Sequence, residues 1–181
     1  MIGCAEFCGT YDWTFHYLHR THGEAAVHQY WTQAISVDSQ RHARELIVGR
    51  GVAGMIEYWA HTLEEEEAGY TCTHTAAVYR IDMLACPSQG FLQRRGIEFY
   101  HDYCDHCMGW IKAIMDQAGF VIHHDHNHGG LCWWEMRPVG ADPGPSAPGE
   151  VAGAADVRLR EDYHSQQHHT WIASELVQGA D

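Results

Sequence analysis

FYHDYCDHCMGWIKAIMDQAGFVIHHDHNHGGLCWWEMR, residues 99–137, is the stretch whose reading decides the fold. Phe99–Ala118 carries apolar residues at helical spacing and runs into Gly119, a helix stop. Phe120–His128 and Leu131–Arg137 read as two strands, and Gly129-Gly130 between them is a two-residue hairpin signal. A substantial helix leading into a closing hairpin predicts antiparallel pairing and an α+β domain.

Working outward, Tyr70–Ala85 is rich in Thr, Val, Tyr and Ile and reads as one strand; Pro87 then opens a short helix ending near Gly96. Upstream, Gly23–Ser36 reads as a helix. Ser39 can cap a longer one to about Ala68, with Ala43, Leu46, Ile47, Ala53, Ile56, Ala60 and Leu63 at helical spacing. Gly49, Gly51 and Gly54 weaken its middle, each by up to ~1 kcal/mol relative to alanine, and mark either a kink or a close approach. The first 20 residues alternate aromatics (Tyr11, Trp13, Phe15, Tyr17) without defining an element. The expected architecture is N-terminal helices packed on a small antiparallel sheet with two further helices, ending in a β-hairpin. Residues 1–137 form the single domain. Residues 138–156, rich in Pro, Gly and Ala, read as a flexible linker. Residues 157–181 form a tail whose Trp171, Ile172, Leu176 and Val177 suffice for a short docking helix.

Composition narrows the function. A formal charge of -13 argues against nucleic acid and anionic membrane surfaces, both of which call for Lys and Arg. Glu64–Glu67 reads as a solvated helix end. No apolar run reaches the roughly 18 residues of a membrane helix, and the N-terminus lacks the pattern of a secretory signal. The expected location is the cytoplasm, with a small-molecule partner and the oligomeric state left open. Seven cysteines, an odd number in a reducing compartment, argue against a disulfide framework.

Six of the 16 histidines fall between His101 and His128. On a continuous helix His101, Cys104, Asp105 and Met108 share one face, and Cys104 and Cys107 can approach one ion. A helix N-terminus would favour the thiolate of Cys104. Along the strand, His124, His126 and His128 point to one side, and His123, Asp125 and Asn127 to the other. Three imidazoles on one face suit a transition metal, zinc first, iron or copper next. The outer pair would lie ~13 Å apart at ~3.3 Å per residue, so one or two would bind and the helix would complete the shell. A polar, solvent-facing strand would carry the same pattern. The candidate metal ligands are His101, Cys104, His124, His126 and His128; the candidate catalytic residues are Cys104, Asp105 and His106. Cys86 and Cys132, taken singly, read as buried structural thiols.

Cys86-Pro87 after a strand, Gly96, Cys104-Asp105 on a helix, and Gly130 followed by Cys132 and Trp134 resemble the L-2-amino-thiazoline-4-carboxylic acid hydrolase family over Ser39–Arg137. The resemblance implies an N-terminal helical part joined to a small α+β part, and hydrolytic opening (or the reverse closing) of a small cyclic amidine-like ring. A Cys104 thiolate would attack the ring carbon, His106 or His101 would move protons, and Asp105 would orient the imidazole. A metal-bound hydroxide could do the same work. HHDHNH, His101, His106 and Cys107 depart from the family pattern and point toward a metal. Two other classes fit the same residues: an iron- or copper-dependent oxygen-using enzyme, and a metal-binding sensor or storage module with a closed shell.

Overall fold

The computed structural model describes residues 4–166. The expected α+β architecture is observed: helices packed on one face of a four-stranded antiparallel sheet of order β1-β2-β4-β3. The strands are β1 (Gly69–His74), β2 (Tyr79–Ala85), β3 (Phe120–His126) and β4 (Cys132–Pro138). Among the described residues no helix is long and apolar enough to cross a membrane. The expected docking helix at Trp171–Val177 lies outside the described residues.

The chain opens with a helix that the sequence reading did not define, α1 (Cys4–His22). Its aromatic alternation is misleading: Trp13 and Tyr17 stack on each other at the surface, while Cys8 and Phe15 face inward. Asp12 also faces inward, and its carboxylate accepts from the Tyr100 backbone N–H at 2.6 Å. The expected helix Gly23–Ser36 is α2 (Glu24–Gln29) running on as a π-helix, Tyr30–Ser39. The wider winding turns Trp31 and Ile35 into the core.

The long helix expected from Ser39 to Ala68 is two helices, α3 (Arg41–Arg50) and α4 (Val52–Glu65). Gly51 separates them at φ 57°, ψ -130°, a conformation that only glycine adopts cheaply. Gly54 then lets the two helices cross, because a Cβ there would lie 2.2 Å from the Leu46 carbonyl oxygen. The single strand expected over Tyr70–Ala85 is the hairpin β1–β2. Its tight connection is closed by the Thr75 N–H donating to the Val78 carbonyl at 2.8 Å.

The short helix after Pro87 is α5 (Gln89–Arg94), and the third substantial helix, α6 (Asp105–Ala118), stops on left-handed Gly119 as expected. It starts at Asp105 rather than Phe99, because residues 101–104 form turns. The β3–β4 connection is also longer than two residues. His126 pairs with Cys132, so residues 127–131 make the loop. The Asn127 carboxamide oxygen holds that loop by accepting from the N–H groups of Gly129 and Leu131.

Residues 138–166 do not behave as a linker over their first part. They form a strap across the sheet face opposite the helices, where Ser146, Asp156 and Val157 are buried. Arg80 is wholly buried there and donates to Asp82 through two nitrogens, to Glu135 at 3.0 Å and to Asp156 at 2.9 Å. Arg158 and Arg137 supply the remaining positive charge, pairing with Asp156 and Glu135 respectively. Trp133 lies between the Arg80 and Arg158 guanidiniums, 4.9 and 4.6 Å from its ring centre.

Candidate metal centre

Period-two alternation sorts β3 as the sequence predicts. Ile122, His124 and His126 are buried toward the helices; His123 turns to Asp142, and Asp125 accepts from the Ser165 hydroxyl. His128 lies beyond the strand in left-handed conformation, φ 54°. That turn carries its ring back beside His126, 5.7 Å between centres. Opposite these rings stands the start of α6. One ligand atom each from Cys104, His126 and His128 lies within 4.8 Å of the others. The structure therefore brings helix thiol and strand imidazoles together, by way of a loop conformation that strand periodicity alone does not give.

His101 is not among them. Because α6 starts later than expected, His101 sits on a turn with its side chain 57% exposed; its Nε2 is 3.2 Å from Asp102, and its ring lies against His19 and Tyr100. Asp105 also has a different neighbour from the one expected. Instead of orienting His106 or His101, its Oδ1 meets His126 Nε2 at 2.8 Å, with both side chains buried. His126 Nδ1 accepts a long 3.2 Å contact from the His128 N–H, so the proton resides on Nε2 and is donated to Asp105. With Nε2 committed, Nδ1 could turn to a cation only in exchange for its long contact with the His128 N–H. Carboxylate, imidazole and ion in that order is the usual outer support of a metal-bound histidine.

His124 donates from Nδ1 to the Trp133 carbonyl at 2.6 Å and stacks on Trp134, leaving Nε2 buried without a hydrogen-bond partner. Burial and the neighbouring His126 push its pKa down to about 3. His106 is the second residue of α6, with Nδ1 on the Tyr103 carbonyl and Nε2 3.6 Å from Cys107 Sγ; burial takes its pKa down to about 4. Both rings are thus neutral near pH 7. The thiols follow the same logic. Burial pushes Cys104 and Cys107 well above the ordinary thiol range, and Cys86 and Cys132 upward too. The helix N-terminus does not offset that burial, so the free Cys104 thiolate expected from the sequence is disfavoured in the metal-free protein.

The donor set fits a cation on three counts. Cys104, His126 and His128 converge; Asp105 is wholly buried with its second oxygen, Oδ2, lacking a hydrogen bond; and the His124 Nε2 lone pair has no donor. A buried carboxylate and a buried acceptor both left short of positive charge are costly unless something supplies it.

Cys86 and Cys132, read from sequence as isolated structural thiols, line a small cavity of about 30 Å³ with Cys104, Cys107, His124 and His126. Cys8 approaches from α1, its thiol 3.5 Å from Ser88 Oγ, which in turn contacts the Tyr103 hydroxyl at 2.9 Å. None of the six cysteines among the described side chains forms a disulfide. A second cavity of about 160 Å³ shares the walls formed by Cys86, His106, Cys107, Cys132 and Trp134 and extends between α4, the π-helix end and α6. Neither cavity has a Lys or Arg in its lining. Comparison with protein-family models, with curated proteins and with solved structures finds no match.

Proposed function

We propose that the chain is a small-molecule enzyme of hydrolase type that opens or closes a small heterocycle or amidine-type bond at a single transition-metal ion, zinc first. The observation that carries this reading is the convergence of Cys104, His126 and His128, with Asp105 behind His126, beside a cavity large enough for a substrate. A bound ion would supply Lewis acidity, lowering the pKa of a water molecule and of the Cys104 thiol. The protein's own parts have separate tasks. Asp105 fixes the tautomer and orientation of His126, while the buried Trp134 and Tyr103 form part of the small cavity's wall. His124 Nε2 and the neutral His106 offer acceptors to a proton released during attack. The resemblance to the thiazoline-carboxylate hydrolases supports ring opening at carbon between heteroatoms.

A second reading, an iron- or copper-dependent oxygen-using enzyme, is favoured by Cys86, Cys107 and Cys132 beside the ligand set, since several thiols suit softer metals. Elemental mass spectrometry of untagged protein, with His126→Ala and Cys104→Ser variants, separates the readings. About one equivalent of zinc, lost in both variants, supports the hydrolase reading; iron or copper with oxygen uptake supports the second. Wild-type protein that neither carries metal nor takes up added zinc would refute both.

A further inference from the structure

Of the glutamates in Glu64–Glu67, three are exposed as a solvated helix end should be, but Glu66 is half-buried and turns into the larger cavity. It is the only carboxylate in that lining, which holds no lysine or arginine. The other walls are aromatic or neutral: Tyr58, Trp59, Trp110 and Trp134 present rings, and Thr62 and Gln40 present small dipoles. Glu66 also caps the C-terminal end of α4, the end of a helix that favours positive charge. Carboxylate, aromatic faces and helix end all bear the same preference, for a cation with an apolar body. The volume of about 160 Å³ sets its size. A cavity of about 150 Å³ holds benzene, so this one accommodates a single ring.

We infer that this cavity binds a one-ring organic cation of amidinium or ammonium type, its charge directed to Glu66 and its ring against the tryptophans. The inference deepens the proposed function by naming the charge and size of the substrate, and it places the far end of the ring at the shared Cys107, His106 and Cys132 wall. It also separates the substrate from carboxylate-bearing rings, for which the lining has no lysine or arginine.

The test is isothermal titration of the full-length protein with benzamidinium, benzyl alcohol and benzoate, with metal content measured on the same samples. Benzamidinium should bind best and benzoate worst. Glu66→Gln should weaken benzamidinium about tenfold, as expected for a half-buried charge pair. Glu65→Gln, the same charge change on an exposed neighbour, should leave its affinity unaltered. Benzoate binding as tightly as benzamidinium, equal effects of the two substitutions, or no binding of any of the three probes would overturn the inference. Cys104→Ser keeps the two questions apart. Metal without benzamidinium binding defeats the cavity assignment alone, and benzamidinium binding in protein that takes up no metal defeats the metal centre alone.

Discussion

Replacing Asp105 by asparagine tests the centre at its least replaceable point. The change is nearly isosteric, and the asparagine carbonyl can still accept the His126 Nε2 proton across the 2.8 Å contact. What disappears is the buried negative charge. Outer carboxylates of this kind raise ligand basicity, and removing one costs about 10- to 100-fold in metal affinity, or ~1.4–2.7 kcal/mol. In the metal-free state the same substitution should cost less than ~1 kcal/mol or even stabilise, because a wholly buried carboxylate with an unbonded Oδ2 is replaced by a neutral amide. The loss of affinity therefore comes with little or no loss of metal-free stability, a combination that a general folding defect does not imitate. Zinc affinity would be read by competition with a chromophoric chelator, and stability by urea unfolding of chelator-treated protein. A variant that binds zinc like wild type, or that loses several kcal/mol of metal-free stability, would refute the role given to Asp105.

Gly54→Ala should destabilise by roughly 2 kcal/mol or more, since its Cβ would meet the Leu46 carbonyl oxygen at 2.2 Å, whereas Gly49→Ala, with nothing within 4 Å, should be neutral or stabilise by up to ~1 kcal/mol; urea midpoints check both. Arg80→Met should cost about 3–5 kcal/mol in the same assay, because it strips a shared partner from buried Asp82, Glu135 and Asp156. Metal-free protein should lose stability in two stages on acidification, followed by urea midpoints between pH 7 and 2.5. Between about pH 6.5 and 4 the unfolded chain binds protons that buried, neutral His106 and His124 do not, so the folded state loses ground as pH falls. Below about pH 4 the hydrogen bonds and salt bridges that lower Glu135, and hold Asp156 down to about 2 against 3.8, are lost as those carboxylates protonate. A flat profile from pH 6.5 to 4.5 would contradict the buried neutral histidines.

The hairpin β3–β4, the α6 stop at Gly119 and the two-sided histidine strand were legible because each rests on a local rule: period two, a left-handed glycine, a turn between apolar runs. The elements that were not legible depend on partners far along the chain. Helix α1 buries an aspartate whose partner is the Tyr100 N–H, 88 residues away, so its inward face does not read as apolar. The β1–β2 turn at Thr75–Val78 contains no Gly, Pro or Asn to announce it. The site was half legible. Cys104, His126 and His128 are candidates by residue type and spacing alone, but the membership of His101 requires a helix already wound at residue 101. The pairing of Asp105 with His126 spans 21 residues, which no spacing rule reaches. Nor does sequence foretell that the isolated Cys86 and Cys132 would face one cavity, since that follows from β2 lying next to β4.

That adjacency also explains why the Pro/Gly-rich stretch is part of the domain. In β4, Cys132, Trp134 and Met136 point to the helices, while Trp133 and Glu135 point to the strap; in β2, Ile81 and Met83 oppose Arg80 and Asp82 in the same way. The two faces carry unlike chemistry. One holds neutral thiols and imidazoles around a cavity, and the other a dense set of compensated charges around Arg80. A one-residue slip of β4 would exchange them, driving Glu135 into the apolar cavity wall and Cys132 and Trp134 under the strap. Both faces oppose that slip, one through Glu135 accepting from Arg80, Arg137 and the strap's Ser146, and the other through His124 stacked on Trp134. The strap thereby contributes to the site beyond its direct contact there, in which the Gln166 N–H donates to the His126 carbonyl at 2.8 Å. By fixing the register of β4 it fixes where the Trp133 carbonyl lies, and that carbonyl sets the tautomer of His124 and leaves its Nε2 as the buried acceptor at the centre.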